Sequence, residues 1–305
     1  MIKHIALALL LSAANLAHAL DTNRFAATLV PAERFEIEGT LVERHGADGT
    51  PLILIPGLAS GAWVWQETVR QFKGEHAIYV LTLPGFDGRP AIPGKSTAAA
   101  SDSLRELIVS RKLLRPVLIG HSLGGTMAIG YATQYPDGVR GVVSIDGLPL
   151  FPGTEDWDAI QRARVAEDVK SRPVATTASL FASQQQEYMR GTGVVDMARA
   201  DELARLTAKS EPVAVMKFMA EAFALDLRPS LPAIKAPVLL LSPYFDADAE
   251  QLRMTEAAKT DYYKVLMAGT PNLQVVSISP ARHFAMFDQP QQVTDAIRAF
   301  LKKLP

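Results

Sequence analysis

Short apolar runs alternate with longer amphipathic stretches along most of the chain. Arg34-Phe35-Glu36-Ile37-Glu38 switches between polar and apolar at each step, Gly39 interrupts, and Thr40 to Arg44 resumes. Two such runs joined at a glycine predict a β-hairpin at a sheet edge. Pro51-Leu52-Ile53-Leu54-Ile55 and Ala77 to Leu81 are unbroken apolar runs, as expected of strands buried on both faces. Pro56 to Gly61 is a turn, Ala62 to Phe72 reads as a helix, and the stretch from Pro84 to Pro90 is a loop by its glycines and prolines. Thr97 to Leu114 is helical, with Leu104, Leu107 and Ile108 on one stripe. Pro116-Val117-Leu118-Ile119 predicts a strand, Thr126 to Tyr135 a helix, and Val139 to Asp146 a further strand.

From Leu148 to Leu231 the alternation stops. Helical patterns remain, but no convincing strand. Ser210-Glu211-Pro212 looks like a helix start, and Val213, Met216, Met219, Ala220, Phe223 and Leu227 follow at helical spacing. Trp157, Phe181, Tyr188, Met189, Met197 and Phe218 make this segment rich in large apolar side chains. Most of these are expected to pack between helices and not against a substrate. Alternation then returns, with strands over Pro237 to Leu241 and Leu273 to Ile278. Asp248 to Leu266 is predicted to be mostly helical, and Gln291 to Leu301 to be the closing helix. The pattern predicts an α/β fold, a mostly parallel central sheet flanked by helices. The core is formed by 20–147 and 232–305, and 148–231 is inserted as a helical cap over the strand ends.

Composition narrows the field. The apolar fraction of 48% and charged fraction of 21% are those of a globular protein with a large core. A net charge of −1 with no basic run argues against nucleic acid or an anionic membrane surface as the main partner. There are no cysteines, so disulfides and thiolate chemistry are excluded. No cofactor and no metal site is expected. Oligomeric state is not encoded in any pattern here.

At the N-terminus, Met1-Ile2-Lys3-His4 is a short basic start, Ile5 to Leu11 is apolar, and Ala17-His18-Ala19 is a small-x-small site. This is the three-part pattern of a secretory signal peptide over 1–19. Its apolar run falls short of the about 20 residues a transmembrane helix needs. A mature chain starting near Leu20, periplasmic or secreted and not inserted in the membrane, is the expectation.

The chemistry centres on Gly120-His121-Ser122-Leu123-Gly124, between a predicted strand and a predicted helix. A G-x-S-x-G turn in that context lifts a serine above the strand end as a nucleophile. The glycines make room for a tight, strained turn, and the helix start aims amide donors at it. Such a serine needs a base. Of six histidines, His4 and His18 fall in the leader, and His45 ends the hairpin. His76 precedes a strand, at the wrong end of the sheet. His121 adjoins Ser122 with its ring expected to point away. His283 remains, in the loop after the last strand. Loops that follow parallel strands gather at one end of the sheet, so His283 and Ser122 can meet. A carboxylate should orient the imidazole. Asp246 and Asp248 follow one strand and Asp146 ends another; all three are candidates, and Asp246 is the expected acid.

With this order of groups the chain resembles the α/β-hydrolase family across essentially all of the mature sequence except the cap. The resemblance implies Ser122, an acid and His283 as a triad in chain order. Counted from Pro237, Asp246 stands where that family's acid usually stands. The stretch from His283 to Pro290 looks like its histidine loop. Pro56-Gly57-Leu58 is similar to its oxyanion turn, which implies the backbone N–H groups of Leu58 and Leu123 as the oxyanion hole. The sequence departs from the family with Pro56 for a common histidine and Arg282 for a common glycine. Ser242-Pro243-Tyr244-Phe245 stands where a glycine is usual after the acid-bearing strand. The implied activity is a serine hydrolase, esterase-like, acting on a small or medium apolar ester through an acyl-enzyme. Lactone, amide and carbon–carbon bond hydrolysis use the same triad. A noncatalytic binding protein would be expected to have lost one of its members.

Overall fold

The structure is a computed structural model that describes residues 23–93, 97–174 and 177–305. The predicted signal peptide, 1–19, lies outside the described residues. Eight strands form one sheet in the order β1-β2-β4-β3-β5-β6-β7-β8. β1 (Glu33–Ile37) and β2 (Thr40–His45) are the expected antiparallel edge hairpin. β2 pairs antiparallel with β4 (Ile78–Thr82). From β4 the sheet runs parallel through β3 (Leu52–Ile55), β5 (Val117–His121), β6 (Gly141–Ile145), β7 (Val238–Pro243) and β8 (Leu273–Ile278).

The apolar runs are continuous because both faces are covered. Successive side chains leave a strand on opposite sides. Ile53, Ile55, Leu118, Val142 and Leu240 accordingly join one core, and Leu52, Leu54, Val117, Val143 and Leu239 the other. The first core is closed by α2 (Thr97–Ser110), α3 (Leu123–Gln134) and α9 (Glu256–Leu266). The second is closed by α1 (Gln66–Phe72) and α11 (Pro290–Leu301).

Three helices differ in detail from their sequence patterns. The first turn of the predicted Ala62 to Phe72 helix is a 3-10 turn, Ala62–Trp65, in which both tryptophans are buried. α2 stops at Ser110, short of Leu114. Lys112 takes a left-handed φ of 52°, and the N–H groups of Leu113 and Lys112 close back on the carbonyls of Ile108 (2.9 Å) and Val109 (3.1 Å). That double bond is the Schellman ending of a helix. The stretch from Asp248 to Leu266 is two helices, α8 (Asp246–Leu252) and α9, separated by Arg253 at φ 50° and by Thr255, which caps α9.

Between β6 and β7 the chain is helical: α4 (Ala159–Ser171), α5 (Ala178–Tyr188), a π turn (Met189–Gly193), α6 (Met197–Thr207), α7 (Pro212–Ala224) and a 3-10 stretch (Arg228–Ala233). The caps are those the sequence offers, with Asp158 and Gln161 forming a capping box and Pro212 at the start of α7. The two ends of this insertion are pinned together by a bridge between Leu150 and Asp226 and a 2.8 Å bond from Leu227 N–H to the Pro149 carbonyl.

α3 lies so close to the sheet that there is no room for a side chain at Gly124 on its first turn or at Gly120 on β5. A Cβ on Gly124 would stand 2.1 Å from the Ile55 carbonyl oxygen, and one on Gly120 would stand 2.1 Å from that of Gly124. Both obstacles are backbone and cannot swing aside. Gly124→Ala should therefore force α3 off β3 and cost about 3 kcal/mol, the upper end for overpacking. Urea denaturation reads this directly, and a midpoint equal to the parent's would show that the elbow tolerates a methyl group.

Candidate active site

Ser122 stands between β5 and α3 with φ 52° and ψ −122°. A serine pays about 1–3 kcal/mol for such a backbone, a cost met by the neighbouring ladder. Its N–H donates to the Ile145 carbonyl at 2.8 Å, and its carbonyl accepts from Thr126 N–H at 3.0 Å. Leu123 opens α3, so its N–H is one of the helix's unpaired first-turn donors. The turn containing Gly57 and Leu58 passes directly beside the serine. A Cβ on Gly57 would stand 3.0 Å from that of Ser122. The two amides implied for the oxyanion hole thus flank Ser122.

His283 follows β8, and its Nδ1 lies 2.5 Å from Oδ2 of Asp146. The acid on the histidine is therefore Asp146 and not Asp246. The reason lies in where the strands end. Asp146 comes immediately after β6, with its N–H on the Leu241 carbonyl at 3.0 Å and a left-handed φ of 52° that turns its side chain across the strand ends. Past β7 the ladder with the β8 side runs on. Tyr244 N–H donates to Ile278 at 2.9 Å, and Ala281 N–H donates to Tyr244 at 2.7 Å. This carries Asp246 beyond the sheet to the first position of α8, where it is exposed. Asp248 is also engaged elsewhere, in a two-pronged ion pair with Arg282 at 2.7 and 2.8 Å.

Burial pulls the Asp146 carboxyl upward. The charge and hydrogen bond of His283, the field of Lys259 and the Tyr263 hydroxyl outweigh it, and the group rests below the usual carboxylate value. The Tyr263 hydroxyl donates to Oδ1. His121 is fully buried. Its Nε2 donates to the His283 carbonyl at 3.0 Å, and the two rings are 4.7 Å apart. Burial drives its basicity down to about 3, helped by His283 and opposed by that hydrogen bond. It is a neutral strut under the histidine loop.

The same loop is tied to the insertion. His283 N–H donates to the Thr192 carbonyl (3.2 Å) and Phe284 N–H to that of Gly193 (2.8 Å). Arg282, in place of a common glycine, donates to the Arg190 carbonyl at 2.7 Å. A cavity of about 420 Å³ opens beside Asp146 and His283, lined by Phe245, Met254, Tyr262 and Tyr263 among others. A second, of about 540 Å³, runs from Leu123 along α3 to Leu225 and Leu227. Among the described residues no group of three or more His, Cys, Asp or Glu is arranged to hold a metal ion, and no helix is long and apolar enough to cross a membrane.

Sequence reasoning kept Asp146 as a candidate, and its place directly after an apolar run was the usable signal. The parts played by His121 and Tyr263 were not foreseen. Only the spacing of Lys259 and Tyr263, one helical turn apart, hinted at a shared face.

A mostly parallel sheet that gathers these groups at the carboxyl ends of its strands defines an alpha/beta hydrolase fold. The chain belongs to that family, whose sequence model matches residues 52–296. It is 31% identical, over 62% of this chain and 74% of the relative, to a 2-succinyl-6-hydroxy-2,4-cyclohexadiene-1-carboxylate synthase from Shigella sonnei (strain Ss046). Among solved structures it is similar to a thermophilic esterase from Thermogutta terrifontis, with 26% identity, a TM-score of 0.67, and coverage of 89% of this chain and 99% of that one. It also shares its fold with the enol-lactonase from Burkholderia xenovorans LB400, with 17% identity, a TM-score of 0.68 and coverage of 89% and 100%.

The buried neutral His121 has a consequence for stability. Unfolded, it takes up a proton near its ordinary value of 6.5; folded, only near about 3. Between those values the unfolded state binds more protons, so stability falls as pH falls from 6.5 toward 3. His121→Gln keeps a donor for the His283 carbonyl without the titration. The slope of Tm against pH over that window should be shallower in the variant, and equal slopes would show that His121 is protonated in the folded protein.

Proposed function

We propose that this protein is a serine hydrolase that cleaves the carboxylic ester of a small or medium apolar substrate through an acyl-enzyme. Ser122 is the nucleophile, His283 the base and Asp146 the acid. The observation that carries this reading is the 2.5 Å bond between His283 Nδ1 and Asp146, made beside a serine held at φ 52°. With Nδ1 engaged, Nε2 is left to take the Ser122 proton as the oxygen attacks the ester carbonyl. The Leu58 and Leu123 amides stabilise the oxyanion, each worth about 2.7–4 kcal/mol in comparable sites. His283 then protonates the leaving alcohol, and water activated by the same ring releases the acid. The likeness to an esterase supports the ester class.

A chain-length series of nitrophenyl esters, run beside simple lactones, tests the reading. Ser122→Ala should abolish both turnover and labelling by a fluorophosphonate. Asp146→Asn should lower turnover about 10⁴-fold, as the equivalent change does in a well-studied triad. Asp246→Asn should stay within a few-fold of the parent. Labelling that persists in Ser122→Ala would overturn the nucleophile. An Asp246→Asn collapse with Asp146→Asn unaffected would overturn the acid.

We also propose export, on the strength of the basic start, apolar run and Ala17-His18-Ala19 site. N-terminal sequencing of protein recovered outside the cytoplasm should begin at Leu20. Material there that still begins at Met1 would refute cleavage.

A further inference from the structure

The carboxylate of Asp146 is held at both oxygens, by groups from two different parts of the fold. Oδ2 meets Nδ1 of His283, on the loop after β8. Oδ1 accepts from the hydroxyl of Tyr263, on α9. A carboxylate with one donor can rotate about its Cβ–Cγ bond and still keep that bond. With a second donor fixed in the core it cannot turn without losing one of the two. Tyr263 is well placed to act as that fixed point. Its ring is buried in the first core near Leu266, and its hydroxyl reaches Asp146. One turn earlier on α9, the Lys259 ammonium stands 5.7 Å from the Tyr263 ring centroid, and its field reaches Asp146.

We propose that Tyr263 is a positioning residue of the site: its phenol clamps the second oxygen of Asp146, so that the first stays aligned with Nδ1 of His283. The proposal rests on the reading of Ser122, His283 and Asp146 given above. It adds a fourth member, supplied by a helix that the motif pattern does not mark.

The clamp has a charge consequence with a definite sign. A hydrogen bond from Tyr263 disperses part of the carboxylate's negative charge. Removing it leaves a more basic carboxylate beside the imidazole, which favours the imidazolium. His283 should then lose its proton at higher pH. The other charged or titratable groups near the pair are Tyr188 on α5, His121 on β5 and Lys259 on α9. Across the cavity, Arg282 is neutralised by Asp248, and Tyr262 is bonded to Glu155. All of these stay in place when only the phenol oxygen is removed.

Tyr263→Phe is the test, because it keeps the ring and deletes one oxygen. On a good ester, kcat should fall about tenfold or more, the scale of one hydrogen bond to a charged group. KM should be unchanged, and the acid limb of the kcat/KM profile should move to higher pH. A purely structural role would lower thermal stability and leave that limb where it is. The same displacement should be seen without any substrate, by following the His283 ring protons by NMR as pH is varied. That measurement separates the proposal from the activity assignment: if the parent cleaves no ester, the functional reading fails while the NMR titration still decides the clamp. Should Tyr263→Phe not fold, 3-fluorotyrosine at 263 supplies a stronger donor in the same space, and the His283 titration should move to lower pH. An unchanged titration in a folded Tyr263→Phe protein, or in the fluorotyrosine protein, would overturn the proposal.

Discussion

The close approach of α3 to the sheet is the constraint on which the site depends. Two glycines let backbone meet backbone between β3, β5 and the start of α3. This contact fixes the direction in which the helix leaves the sheet, and hence the height and strain of Ser122 above it. It also brings the Gly57 turn within one atom's width of the serine. Had either glycine carried a side chain, the helix would have to lift. The first turn of α3 and the Gly57 turn would then no longer flank Ser122 as closely.

Around that fixed point the polar groups are held by bonds that each use a different element. Asp146 directly follows β6, His283 lies in the loop after β8, His121 ends β5 and Tyr263 is on α9. Burial penalises charge on Asp146, His121 and Tyr263. It keeps His121 neutral and lifts Tyr263 well above a normal phenol, while the neighbouring imidazole and donors keep Asp146 an anion. One negative charge is thus confined among neutral or protonated partners. This is an inexpensive way to hold a buried carboxylate, because each of its oxygens has a donor.

Much of this was legible in the residues. The unbroken apolar runs marked strands buried on both faces, and the G-x-S-x-G turn between a strand and a helix marked the elbow. The choice of acid was less legible for a physical reason. β6 and β7 are neighbours, and both end near His283, so distance along the chain does not say which carboxylate reaches the imidazole. What decides it is how far the ladder runs past β7, through Tyr244 to Ala281, and that is a property of pairing and not of local pattern. The two-helix break at Arg253 and the early end of α2 at Lys112 were missed for a similar reason. In both places a residue with a side chain adopts the left-handed conformation that sequence reading expects of glycine.

The bonds between the π turn and the histidine loop tie the insertion to the backbone of the site. The carbonyls of Thr192 and Gly193 hold the amides of His283 and Phe284, and Arg282 reaches back to Arg190. The insertion is therefore not a lid hinged independently of the chemistry at this edge. Whatever pushes residues 190–193 outward pulls on the backbone that carries the imidazole. A bulky guest wedged beneath the insertion would therefore displace the His283 backbone through a few main-chain bonds.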